Sequence, residues 1–207
     1  ARLPGIAVVS ARDLAGVVAI LRGADPGENV PVPPEREALE GPDLCDVRGH
    51  DHARFALAVA AAGGHHMALV GPPGVGKTML AERLPGLLPD LDDETAVEVA
   101  AIHSVAGLTR PDVTRPPYRA PHHSASSAAL LGAAQGHRVR PGAVTLAHRG
   151  VLFLDEAPEF SRPSLEGLRQ PLESGQVSLH RSGWAGLLPA AFQLVLAANP
   201  CPCGQRT

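Results

Sequence analysis

Residues 71–78 read Gly71-Pro72-Pro73-Gly74-Val75-Gly76-Lys77-Thr78, which satisfies every fixed position of the G-x-x-x-x-G-K-[ST] phosphate loop. Each fixed residue has a physical task. Without a Cβ, Gly71, Gly74 and Gly76 let the backbone turn its N–H groups onto phosphate oxygens. Lys77 reaches the β- and γ-phosphates, and the Thr78 hydroxyl ligates Mg²⁺. The flanks agree with this reading. Met67-Ala68-Leu69-Val70 is an apolar run suited to a buried parallel strand, and Met79-Leu80-Ala81-Glu82-Arg83-Leu84 is rich in helix formers. A chance glycine-rich turn would not bring both flanks with it. The loop predicts a site for ATP or ADP with Mg²⁺.

Two later segments have the form of strands that end in polar side chains. Val151-Leu152-Phe153-Leu154 runs into Asp155-Glu156. A buried strand would hold Asp155 at its C-terminal end, where ligands bind in open α/β sheets. Asp155 would then share the Mg²⁺ with Thr78, and Glu156 would polarise a water for attack on the γ-phosphate. Alone, such a pair could equally be a solvated strand end. Leu194-Val195-Leu196-Ala197-Ala198 ends in Asn199, placed to hydrogen-bond the γ-phosphate or the attacking water. An Asn before Pro200 is otherwise an ordinary turn residue. Three strands ending in polar residues at one sheet edge favour the catalytic reading, with Lys77, Asp155, Glu156 and Asn199 as the reacting set.

The rest of the chain is compatible with that class. Of 207 residues, 44% are hydrophobic and only 3% aromatic, so the core is Ala, Leu and Val, as in parallel α/β sheets. A net charge of −3 excludes a uniformly basic nucleic-acid coat but not a local basic face. No apolar stretch approaches the ~20 residues needed to span a bilayer, and no signal-peptide pattern opens the chain. Cysteines at 45, 201 and 203 make no disulfide framework. A cytoplasmic ATPase with no membrane partner is the expectation.

Along the chain, Ile6-Ala7-Val8-Val9 reads as a strand and Ser10 as the start of a helix. Leu14, Val17, Val18 and Leu21 form one apolar stripe, and Gly23 is a plausible stop. Residues 24–42 carry five prolines and read as an extended linker. An Ala-rich helix follows from Asp46 to Ala62, ended by Gly63-Gly64. Pro85 and Pro89 limit the helix after the phosphate loop, and 92–103 is helical. Residues 109–123 are irregular. A helix near 163–174 and a hairpin with its turn at Gly183 precede the last strand, Phe192 to Ala198. The order predicts an α/β fold, a parallel sheet with helices on both faces. Lys77 and Asp155 stand much farther apart than the ~12 residues one crossover needs, which implies a second β-α unit plus insertions.

The segment 71–81 resembles an AAA+ ATPase, and further segments narrow the resemblance. These are Ile102-His103-Ser104-Val105-Ala106-Gly107, Arg119-Ala120-Pro121-His122-His123, Leu146-Ala147-His148-Arg149-Gly150, Leu168-Arg169-Gln170-Pro171-Leu172-Glu173 and Asn199-Pro200-Cys201-Pro202-Cys203-Gly204. Together they resemble the magnesium-chelatase-like ComM (YifB) family from about residue 43 to the end. Residues 1–23 resemble the tail of the Lon-protease-like domain that precedes the ATPase there, which gives a division of 1–23, a linker 24–42 and an AAA+ core 43–207.

The resemblance implies a three-layer α/β/α AAA+ P-loop core, hexameric rings, ATP hydrolysis and DNA branch migration in recombination. The alternative is a chelatase-type or protein-remodelling ATPase that acts on a partner protein. It also implies a nucleotide-contacting set of Gly71, Pro72, Pro73, Gly74, Val75, Gly76, Lys77, Thr78 and Met79. Gly49 and His50 would lie near the adenine, although His50 replaces a commoner Gln. Residues about 128–141 would be an insert and about 176–191 a hairpin, both directed at a pore. The arginine finger, second sensor and helical lid of the family would lie past Thr207, so a chain of these residues alone is expected to be a very poor ATPase.

Three groupings need separate treatment. Cys201-Pro202-Cys203 offers two thiolates, too few for a tetrahedral zinc site. His122-His123 on an extended chain would point its rings apart, a poor chelate. Residues 101–150 hold Arg110, Arg115, Arg119, Arg138, Arg140 and Arg149 against Asp112 alone, together with five of the ten histidines. That segment is either a solvated loop face or a grip on a DNA phosphate backbone.

Overall fold

The computed structural model describes residues 9–24, 28–29, 41–108, 114–135, 138–181 and 184–200. The chain divides into two compact units, 1–39 and 40–207. In the first, β1 (Val9–Ser10) pairs antiparallel with β2 (Glu28–Asn29), which falls in the stretch read as linker. Helix α1 (Leu14–Leu21) starts later than the expected Ser10. Asp13 has an extended backbone, and its carboxylate accepts the Gly16 N–H at 2.7 Å, so Asp13 is the cap and not a first-turn residue. The stripe of Leu14, Val17, Val18 and Leu21 is exposed in whole or part. The expected strand residues 6–8 and most of the linker lie outside the described residues.

The second unit opens with a 3-10 turn, Leu44–Asp46, and α2 (Asp51–Gly63). The helix expected from Asp46 begins only at Asp51, because Gly49 and His50 take left-handed backbone (φ 69° and 55°) and break the run. Gly64 closes it in the same conformation. β3 (Met67–Val70) leads through the loop to α3 (Lys77–Ala81), and a 3-10 turn, Leu84–Leu87, follows at Pro85. Helix α4 (Asp93–Val105) is capped by Asp92, whose carboxylate accepts the Thr95 N–H at 2.8 Å.

The stretch read as irregular contains a strand, β4 (Tyr118–Arg119). Two residues are too short to give a periodic signal. Then come α5 (Ser127–Leu131), the hairpin β5 (Gly132–Gln135) with β6 (Arg138–Pro141), and α6 (Ala143–Leu146). β7 (Val151–Leu154) is followed by α7 (Arg162–Gly167) and α8 (Arg169–Ser174), two short helices where one was expected. A second hairpin, β8 (Gln176–Arg181) with β9 (Trp184–Pro189), precedes β10 (Gln193–Ala198). Its tip at Gly183 lies outside the described residues.

The central sheet is parallel throughout, in the order β3-β10-β7-β4. Alternation along β7 divides the core. Leu152 and Leu154 face one cluster with Leu130, Val144, Phe160 and Leu168, contributed by α5, α6 and the segment through α7. Val151 and Phe153 face the other, with Leu57, Ala81 and Leu84 from α2, α3 and the turn after it. The result is the three-layer α/β/α arrangement of a P-loop domain. β3 is not the fully buried strand its composition suggests. It is an edge strand among the described residues, and its side chains alternate between half-buried and exposed.

Candidate functional site: a phosphate loop and three strand ends

Register explains how residues far apart in the chain meet. Val70 of β3 pairs with Ala198 of β10, and Leu154 of β7 pairs with Leu196. All three strands run the same way, so their C-terminal ends open at one edge. Asp155 continues the alternation of Val151 and Phe153, and Asn199 that of Val195 and Ala197. Both therefore emerge on the face covered by α3, the helix that follows the loop.

Contacts across this edge are short. The Thr78 hydroxyl donates to Asp155 Oδ2 at 2.7 Å. The Lys77 ammonium donates to the carbonyls of Gly71 at 2.7 Å and Pro72 at 3.0 Å, and to Asn199 Oδ1 at 2.9 Å. Its three protons are thus all engaged, two of them by the loop itself. The Gly71 N–H also bonds to the Ala198 carbonyl at 3.2 Å, which ties the start of the loop to β10. Gly76, in left-handed backbone at φ 87°, caps α3 with no side chain over its first turn. A Cβ there would be strained and would stand 3.0 Å from the Met79 methyl.

Among the described residues, Glu156 is one of three non-glycine residues with positive φ, here 51°. Left-handed backbone at such a residue is uncommon and clusters at sites where surrounding structure enforces it. Its N–H donates to Asp155 Oδ1 at 2.9 Å, so both Asp155 oxygens are hydrogen-bonded. Its own carboxylate lies 2.9 Å from His123 Nδ1. The pair His122-His123 therefore does not behave as the sequence suggested. The chain turns at 122–125, with Ala125 N–H bonded to the His122 carbonyl, and the two rings lie 4.0 Å apart at 37° instead of diverging.

Tyr118, on β4, stacks on Phe153 with ring centroids 6.2 Å apart. Burial, aided by the nearby Glu82 and Asp155 carboxylates, pushes its phenol far above the ordinary range, so it stays neutral. Sequence reasoning missed both Tyr118 and the His123 contact. The Arg119–His123 segment was noticed, but without β4 nothing indicated which strand it accompanied.

The other expected contacts are placed as follows. Pro72, Pro73 and Gly74 are exposed at the loop's crest, and Val75 and Met79 are half-buried. Gly49 and His50 are exposed at the start of α2. The basic segment is not a single face. His103 and His148 are buried, Arg115 and Arg119 are half-buried, and Arg140 and Arg149 are exposed. Arg110 and residues 201–203 lie outside the described residues. A cleft of about 840 Å³ lies among Leu131, Ala133, Glu166, Arg169, Gln170 and Val177. None of the loop or strand-end residues lines it.

The donor set fits a magnesium nucleotide. Mg²⁺ takes hard oxygen ligands and is usually held by one or two protein groups plus substrate phosphates. Thr78 and Asp155 supply two such groups already in contact, with an ammonium on the adjacent residue. No cluster of three or more His, Cys, Asp or Glu among the described residues is arranged as a metal cage. No described helix is long and apolar enough to cross a membrane.

Comparison with known proteins places this geometry in a family. A Mycobacterium tuberculosis protein is 63% identical over 164 residues, 78% of this chain and 32% of that protein. Competence protein ComM of Haemophilus influenzae is 51% identical over 167 residues, 80% of this chain and 32% of its own length. YifB of Escherichia coli is 52% identical over 164 residues, covering 78% of this chain and 32% of the relative. Lon protease 2 of Bacillus subtilis is 30% identical over 191 residues, 82% of this chain and 35% of that protein. The chain thus spans about a third of the length of the relatives it matches. The sequence model described as "Magnesium chelatase, subunit ChlI" matches residues 43–207, which contain the loop and all three strand ends, and the chain belongs to that family.

Proposed function

We propose that this chain is the ATP-binding and ATP-hydrolysing core of a ring-forming AAA+ motor that acts on DNA. The observation that carries the ATPase part is the Lys77, Thr78, Asp155, Glu156 and Asn199 constellation at one sheet edge. Lys77 exchanges loop carbonyls for the β- and γ-phosphates. Thr78 and Asp155 would hold Mg²⁺, which when bound would supply positive charge to offset that of the phosphates. Glu156, fixed by its backbone and by His123, polarises the attacking water and accepts its proton. Asn199, beside Lys77, orients the water or the γ-phosphate.

The DNA part is supported by the two hairpins, β5–β6 and β8–β9. Arg138 and Arg140 lie on β6, and His180, Arg181 and Trp184 flank the turn of the second hairpin. Basic residues carried on paired strands suit a nucleic-acid phosphate backbone. The relative named for competence belongs to the same reading. The assembly proposed is a hexameric ring of this chain's full-length protein, working in the cytoplasm.

The test is binding of the full-length protein to a four-way DNA junction over a salt series, with ATP hydrolysis measured alongside. Steep loss of binding with salt and stimulation of hydrolysis by the junction are expected. Unchanged hydrolysis and no binding at low salt would overturn the DNA reading in favour of a chelatase-type motor acting on a protein.

A further inference from the structure

We infer that Arg83 is a positioning residue for the nucleoside half of a bound nucleotide, acting on the segment 43–50. The inference rests on the proposed nucleotide site and extends it beyond the phosphates. Only residues 64–66 join α2 to β3, so the chain doubles back and α2 runs opposite to the strand. The start of α2, with Gly49 and His50, therefore lies at the sheet edge where β3 enters the phosphate loop. His50 is exposed there, holds left-handed backbone at φ 55° and makes no side-chain cap bond to α2. Strain of this kind in a non-glycine residue clusters at ligand clamps. A nucleoside that extends from the loop over this edge meets residues 47–50.

Arg83 ties that segment to the phosphate grip. It follows α3, the helix whose first turn carries Lys77 and Thr78. Its Nη1 donates to the Met79 carbonyl at 2.9 Å, which fixes the guanidinium against α3. Its Nε donates to the Asp43 carbonyl at 2.8 Å, a residue 40 positions earlier. Asp43 caps the 3-10 turn Leu44–Asp46: its carboxylate accepts the Cys45 N–H at 2.7 Å, and its own N–H donates to Asp46 at 3.3 Å. The carbonyl that Arg83 holds thus carries a closed turn with it. Asp46 itself stands 3.9 Å from the guanidinium with its side chain 59% exposed, so the backbone bonds are the tighter part of the tie. The Arg83 side chain is only 14% exposed, which limits competition from water. One planar fork keeps the spacing between the first turn of α3 and the approach to Gly49 and His50, and a lysine has no donor at the Nε position.

ATP and inorganic tripolyphosphate separate the two halves of the site, since tripolyphosphate offers the phosphates alone. Calorimetry on the full-length protein with Mg²⁺ reads both affinities, and wild type should bind ATP more tightly than tripolyphosphate. Arg83→Lys keeps the charge and most of the buried stem, so the fold is retained. It should weaken ATP binding by about tenfold, the worth of one hydrogen bond that involves a charged group, and leave tripolyphosphate binding unchanged. Asp46→Asn should leave both affinities unchanged, because the Asp43 carbonyl is the anchor.

Unchanged ATP binding in Arg83→Lys overturns this inference alone. Equal weakening of both ligands would make Arg83 a general support of the phosphate loop and overturns it too. A lost preference for ATP in Asp46→Asn would move the role to the ion pair and overturns the backbone tie. Wild type that binds tripolyphosphate as tightly as ATP removes the nucleoside contact and the inference, with the phosphate loop left standing. Wild type that binds neither ligand removes the nucleotide site itself.

Discussion

Thr78 Oγ1 and Asp155 Oδ2 lie 2.7 Å apart although 77 residues separate them in the chain. One belongs to the first turn of α3 and the other follows the last residue of β7, so the bond joins the phosphate loop to the centre of the sheet. Both atoms are hard oxygen donors of the kind Mg²⁺ selects. Thr78→Ala or Asp155→Ala should therefore weaken the Mg²⁺-dependent part of ATP binding while leaving Mg²⁺-independent binding in place. Titration of Mg²⁺ at fixed ATP, followed by a fluorescent nucleotide, reads this directly, and an unchanged Mg²⁺ midpoint in both variants would reject the assignment.

Lys77→Ala should weaken ATP binding roughly 10–100-fold, the equivalent of ~1.5–3 kcal/mol for a hydrogen bond to a charged group. The ammonium is already placed at the loop by Gly71, Pro72 and Asn199, so little reordering precedes its contact with phosphate. Isothermal calorimetry on wild type and variant measures the loss, and equal affinities would remove Lys77 from the binding set.

Glu156→Gln should retain ATP and lose turnover in the full-length protein, by ~10²–10⁴. The amide keeps the shape and can still contact His123, but it cannot take a proton from water. Single-turnover hydrolysis with binding measured in parallel separates the two effects. Hydrolysis at the wild-type rate would mean that another group positions the water.

Stability should fall as pH drops below about 6.5, the ordinary histidine value, in part because of His148. The ring is 3% exposed. Its Nδ1 accepts the Ala191 N–H at 3.0 Å, and its Nε2 lies 3.1 Å from Glu98. Burial lowers its affinity for a second proton, the Glu98 carboxylate opposes this without cancelling it, and Arg149 adds to the lowering. The folded state thus binds fewer protons than the unfolded one. The corresponding stability is complete above the unfolded value and is lost as pH falls through the lower folded one. Urea unfolding between pH 5 and 8 should show a steeper acid loss in wild type than in His148→Gln, and parallel profiles would refute it.

Gly150→Ala should destabilise the fold by about 1–3 kcal/mol, as overpacking does. A Cβ at that position would collide with the Pro117 carbonyl, which accepts the Val151 N–H at 2.8 Å and starts the β4–β7 pairing. Chemical denaturation reads the change. A neutral result would show that the β4 segment can move aside.

The central strands, the helices on their two faces and the phosphate loop were legible because each carries a local signal: apolar runs, capping residues, and glycines at fixed spacing. Asp155 and Asn199 were legible as polar ends of apolar strands. The same reasoning placed the helix before β3 five residues too early, since Gly49 and His50 give no periodic cue to their left-handed backbone. It read β3 as buried, because four apolar residues look alike in the middle and at the edge of a sheet.

By itself the sequence determined which side chains could hold a magnesium nucleotide and the α/β class that would carry them. Those depend on residue type and on interactions within a few positions along the chain. Tertiary structure alone decided that Thr78 meets Asp155, that Lys77 meets Asn199, and that His123 comes level with Glu156. Strand order and register set these distances. A two-residue strand such as β4 acquires its register only by pairing with β7, since so short a segment has no stability or pattern of its own.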